Sequence, residues 1–186
     1  MKKILSLIMA LCLICLCGAA LADAKVSDGD PLVLDGFTLN LDKGISYDVG
    51  TKADQQVYVT VYPYYASGDL ATNFNAVWMG GPETITVEAV KEQLDGLKEE
   101  MAKGFEQYGF TVGGIEYSEP AESTLGGEAC VKLDSKMTLG MNGQSLDINQ
   151  RQIYVGSKGF IFTISTTDAE ALEGATAKLN SVLKWD

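Results

Sequence analysis

The sequence predicts an α+β fold, an antiparallel β-sheet of about six to eight strands flanked by a long middle helix and a C-terminal helix. Three observations carry this expectation. Runs that alternate apolar and polar residues, such as "FTLNL", "QVYVTVYPYY" and "EACVKLDSKMTL", occur in both halves of the chain. Between the halves, apolar residues recur at helical spacing, at Val87, Val90, Leu94, Leu97, Met101, Phe105 and Tyr108. The pair Asn142 and Gly143 joins two alternating runs, and a tight turn of this kind makes its flanking strands antiparallel neighbours.

Taken in order, the chain opens with Lys2 and Lys3, an uncharged apolar stretch from Ile4 to Cys17, and small residues from Gly18 to Ala24. This is the layout of a bacterial secretory signal, and the apolar stretch falls short of the about 20 residues of a membrane-spanning helix. Ala20, Leu21 and Ala22 give the small-x-small pattern of signal cleavage, so the expected cut lies between Ala22 and Asp23 and Cys12, Cys15 and Cys17 leave with the signal. Acylation at Cys17 is opposed by the bulky Leu16 just before it. The expected organisation is a signal peptide over 1–22, a flexible leader over 23–34 and one domain over 35–186, secreted or extracytoplasmic.

Within the domain, Phe37, Leu39 and Leu41 share one face of a strand, with "ISYDV" as its expected hairpin partner across Asp42 to Gly44. Val57, Val59 and Val61 alternate with Tyr58, Thr60 and Tyr62, and Pro63 marks an edge or an end. "TNFNAVWM" puts Phe74, Ala76 and Trp78 on one side. The long helix follows, capped by Thr86 and ended by Gly109. Strands return with "FTVGGIEYS" and "ESTL", a turn at Gly126 and Gly127, and a meander through "EACVKLDSKMTL", "QSLDINQRQIYV" and "GFIFTIST". Thr167 with Glu170 has the spacing of a capping box for a last helix that buries Leu172, Ala175, Leu179 and Val182.

Composition excludes more than it assigns. With 14 basic against 25 acidic residues the net charge is −11, which disfavours nucleic acid and anionic lipid and favours cationic partners. The absence of histidine removes Ser-His-Asp and Cys-His catalysis and every imidazole zinc site. Arg151 is the single arginine, so no arginine cluster exists for phosphate. After signal removal only Cys130 remains, so no intrachain disulfide forms. No cofactor or metal is implied: Asp28 and Asp30 around Gly29 lack the spaced ligand set of a calcium loop, and the glycine pairs lack the ending of a phosphate loop.

The element order, with "TNFNAVWM" before the long helix, "LGGEACVKL" opening a meander and "LNSVLKW" closing the chain, resembles the PsbP-like fold. That superfamily includes the photosystem extrinsic protein PsbP, the fungal Ran-binding Mog protein and exported bacterial DcrB-like proteins. The resemblance covers about Asp35 to Asp186 and implies a binding or accessory module, without a catalytic signature and without a specified partner.

The candidate binding surface is the tyrosine side of the central strand, Tyr58, Tyr62 and Tyr64, with Tyr65 at its end, expected to face away from the valines and to stack against a sugar, peptide or aromatic ligand. Tyrosines also pack on half-buried sheets. Cys130 shares strand parity with Lys132, Asp134 and Lys136, a polar side on which Lys132 would lower its pKa, yet neither a histidine nor a resolving cysteine accompanies it. Ser181 and Lys184 match an S-x-x-K spacing without its companion motifs. Glu116 with Glu119, or Asp134 with Asp147, are carboxyl pairs for glycosidase-type chemistry. The function expected is an exported, non-catalytic binding or accessory domain for an extracellular ligand or protein. The alternatives are a carboxylate-based extracellular hydrolase and a structural subunit of an envelope assembly.

Overall fold

A computed structural model describes residues 24–54, 56–67, 70–107, 109–141 and 143–186. The expected signal, with Cys12, Cys15 and Cys17, lies outside the described residues. Among these residues two sheets and three α-helices follow from the alternation and helical spacing. The larger sheet runs β1 (Lys25–Val26), β4 (Ser46–Val49), β5 (Val57–Ser67), β6 (Leu70–Trp78), β11 (Phe160–Thr166), β10 (Gln144–Val155), β9 (Glu128–Met141) and β7 (Thr111–Tyr117), and β8 (Ala121–Leu125) pairs β9 beyond β7. The smaller sheet runs β12 (Leu183–Trp185), β3 (Phe37–Leu39) and β2 (Leu32–Leu34). Every pairing is antiparallel. None of the helices among the described residues is long and apolar enough to cross a membrane.

The meander β9–β10–β11 forms as the alternation and turns imply. Elsewhere tertiary pairing overrules local reading. The large sheet has nine strands among the described residues, more than expected: the 23–34 stretch read as a leader contributes β1 to it, and gives β2 to the small sheet. β4 pairs β1 and β5, not β3, since β3 is drawn into the small sheet between β2 and β12. The long helix is broken into α1 (Val87–Lys91) and α2 (Leu94–Gln107), where the Gln93 N–H donates back only to Val90 O at 3.1 Å and tightens the turn. Thr86 caps α1, its hydroxyl accepting from the Ala89 N–H at 3.1 Å. The Thr167–Glu170 box does not close: Asp168 Oδ1 accepts from the Glu170 N–H at 3.0 Å before α3 (Ala171–Val182) begins.

Successive residues of β10 and β11 serve opposite faces, and both faces carry apolar side chains. Phe160, Phe162, Ile164, Ile153 and Val155 join one cluster with Leu172, Ala175 and Leu179 of α3 and with the small sheet. Ile161 and Tyr154 join Val90 of α1 and Leu97 of α2 on the other face, and Ile148 joins Met101 and Phe105. Phe37, fully buried, ties the small sheet to the large one: its ring lies 5.0 Å from Phe160, 5.5 Å from Phe162, 5.9 Å from Trp185 and 6.1 Å from Tyr58.

One charged group sits inside this packing. The side chain of Arg151 on β10 is 4% exposed. It donates from Nε and Nη2 to the two carboxyl oxygens of Asp134 on β9, each at 2.7 Å, from Nη2 to Glu173 of α3 at 2.7 Å, and from Nη1 to Thr176 Oγ1 at 3.0 Å. The planar fork of arginine satisfies both strand and helix at once. It also holds the Glu173 carboxyl below the usual carboxylate range, while the same partners, Asp134 first, hold the guanidinium above its ordinary value.

Phe37→Ala is expected to cost about 3 to 5 kcal/mol in urea unfolding, because four rings lose contacts at once. Arg151→Ala is expected to cost about 2 kcal/mol, less than a fully buried pair, since Asp134 keeps water on a third of its side chain. For Glu173 the folded pKa lies below the unfolded one, so its contribution is present above about pH 4.3 and is lost as pH falls through the folded value. The urea midpoint of Glu173→Gln should therefore fall less steeply with acid than that of the parent.

Candidate functional site

The structure places Tyr58 and Tyr62 of the sequence-based candidate surface on different faces of β5. A register shift in β5 between Val57 and Val59 turns Tyr58 onto the same face as Val59 and Val61. Its ring is buried beside Phe37 and Phe160, and its hydroxyl accepts from the Asp35 N–H at 2.7 Å. Tyr62 alternates with Val61 and stands half-buried opposite Ser46. Tyr58 and Tyr62 thus occupy opposite faces rather than one. Tyr64 and Tyr65 continue the strand, with Tyr65 opposite Thr72.

The remaining sequence candidates are mostly held by local partners. Cys130 is buried, contrary to the polar side its parity suggested, and burial pushes its thiol pKa up against the smaller effects of Ser123 and Lys132. Ser181 donates to the Lys178 carbonyl at 2.7 Å, a bond within the helix. Glu119 pairs with Lys91 at 2.8 Å, Asp134 with Arg151, and Asp147 accepts from the Thr138 hydroxyl at 2.7 Å and faces Lys136 at 3.4 Å. The Thr138 and Lys136 contacts hold the Asp147 carboxyl below its ordinary value. Asp28 Oδ1 accepts from the Asp30 N–H at 3.0 Å and closes a turn.

Concavities lie elsewhere among the described residues. A smaller one of about 440 Å³ sits beside the Arg151 clamp, between Glu116, Lys136, Asn149 and Glu173. A larger groove of about 820 Å³ runs between the extended 83–86 segment entering α1 and strand β8. Its floor is Val131 and Tyr154, side by side on β9 and β10. Glu122 and Thr124 of β8 form one wall, and Thr84, Thr86 and Glu88 the other. Three acidic side chains line it, Glu83, Glu88 and Glu122, and no lysine or arginine does. The Tyr154 hydroxyl is engaged along its own strand, donating to Gln152 Oε1 at 2.5 Å.

Close backbone approach at Gly156 builds this groove. The Glu83 N–H donates to Gly156 O at 2.9 Å, and a Cβ on Gly156 would overlap the Glu83 carbonyl oxygen, so only glycine lets the 83–86 segment lie against the end of β10. Sequence reading missed the groove because its residues come from segments far apart in the chain.

No protein-family model matches the chain, and no curated protein sequence matches it. In backbone course it is similar to the solution structure of cyanobacterial PsbP (CyanoP) from Synechocystis sp. PCC 6803, at 12% identity and a TM-score of 0.47, over 91% of this chain and 96% of that one. It is also similar to the crystal structure of LpqN, involved in cell envelope biogenesis of Mycobacterium tuberculosis, at 13% identity and a TM-score of 0.35, over 85% of each chain. A PsbP structure is thus among those the chain is similar to.

Proposed function

We propose that this chain is an extracytoplasmic, non-catalytic binding or accessory domain that holds its ligand in the groove between the 83–86 segment and β8. The observation that carries this reading is the groove itself: about 820 Å³ of open space, walled by hydroxyl and acidic side chains on two supports, the chain entering the start of α1 and the β8–β9 hairpin. The signal-like start of the sequence supports export. A carboxylate-based hydrolase draws less support. It needs an acid whose pKa is raised toward neutrality, and the acidic side chains with a resolved shift among the described residues, Glu99, Asp147 and Glu173, all move downward. A structural subunit would present a continuous apolar patch, whereas among the described residues the large exposed apolar side chains, Val26, Val33 and Leu146, stand on three different strands.

Native mass spectrometry of the protein recovered from its own cells, compared with the Ala129→Trp variant, tests the reading. Ala129 is exposed on the groove floor, so tryptophan fills the space without touching the core. A companion mass present in the parent and lost in the variant is expected, and a companion retained equally by both would place binding elsewhere. Gly156→Ala, which must push the 83–86 segment outward, should weaken retention of the same companion and lower stability by about 1 to 3 kcal/mol.

A further inference from the structure

We propose that the outer edge of β8 is a strand-addition site for an extended basic segment of a partner protein. This rests on the groove being the binding site. Gly126 and Gly127, with φ of 59° and 86°, form a two-residue turn closed by Leu125 opposite Glu128. In such a hairpin the flanking pair is hydrogen-bonded and the pattern then alternates, so Leu125, Ser123 and Ala121 bond to β9 while the N–H and C=O of Glu122 and Thr124 point away from it. Among the described residues no hydrogen bond is made to those outward groups. The free edge is short and bounded, by Pro120 at one end and by Leu125 at the other, whose carbonyl oxygen accepts from Trp185 Nε1–H at 2.9 Å.

Charge selects the occupant. An added strand would present every second side chain toward the groove, beside the exposed Glu122 and facing Glu88 and Glu83. The groove offers no cation of its own, and the chain carries a net charge of −11, so basic side chains at alternate positions are the complement. A second copy of this chain fits poorly, because pairing β8 with β8 puts both Glu122 side chains on one face as diagonal neighbours and brings a second net charge of −11.

The test is fluorescence anisotropy with a labelled, acetylated hexapeptide of alternating lysine and threonine. Two controls accompany it: the same peptide N-methylated at alternate residues, and an alternating glutamate and threonine peptide. The lysine peptide should bind, and N-methylation, Glu122→Lys or replacement of lysine by glutamate should each weaken binding by about tenfold or more. Equal binding of the N-methylated peptide, or of the glutamate peptide, would overturn strand addition by a basic segment. Should the lysine peptide fail to bind while Ala129→Trp still strips a companion mass from the native protein, the edge inference falls and the groove reading stands. Should Ala129→Trp also leave the companion in place, both fall.

Discussion

The architecture depends on one constraint: the two central strands, β10 and β11, are buried on both faces. Every residue of β11 is buried, and so is β10 from Asn149 to Val155. An antiparallel sheet can leave one face to water only when its alternation is polar on that side, and here Ile148, Tyr154 and Ile161 interrupt the polar residues of the second face. Two covers are therefore required. The small sheet and α3 supply one, through Phe37, Leu172 and Leu179, and α1 with α2 supply the other, through Val90, Leu97 and Phe105. The polar side chains that fall on the second face find partners where they can: Gln150 Nε2 donates to Ser165 Oγ at 3.0 Å across adjacent strands.

The groove follows from how the second cover ends. α1 is only five residues long, and before it the chain is extended from Glu83 to Thr86, pinned to the end of β10 at Gly156. An extended segment shields less of a sheet than a helix does, so the strip between it and β8 stays open. The same geometry leaves β8 as an edge, because β9 spends its outer side first on β7, over Ser135 to Gly140, and then on β8, over Glu128 to Lys132. Edges of this kind are usually blunted by charge, proline or shortness. Here Pro120, the glycine turn and a single glutamate perform that task, and the glutamate doubles as the groove's wall.

Arg151 shows how a charge is accommodated where alternation demands an inward residue on the α3 face. Burying a lone guanidinium would be costly, and the cost is offset because Asp134 lies directly opposite in the β9–β10 register while Glu173 and Thr176 descend from the first turns of α3. The clamp joins three elements through one side chain. Sequence reading registered Arg151 only as the single arginine, for its partners lie 17, 22 and 25 residues away and belong to two elements whose contact is set by packing.

Strand and helix positions that depend on near neighbours were legible in the sequence. The Phe37–Leu39–Leu41 face, the Thr86 cap, the β9–β10–β11 meander and the buried stripe Leu172, Ala175, Leu179 and Val182 are local patterns of period and turn, and each stands in the structure. The acidic composition and the lack of histidine likewise belong to the chain itself. Tertiary structure alone decided which strands pair, because any alternating run is compatible with several neighbours: it gave β3 to β12 and β4 to β5. It also decided the bulge that turns Tyr58 inward, since one inserted residue reverses the face of all that precede it and leaves no mark in the alternation. The groove is of the same kind, for its walls meet only after the sheet has been covered on both sides.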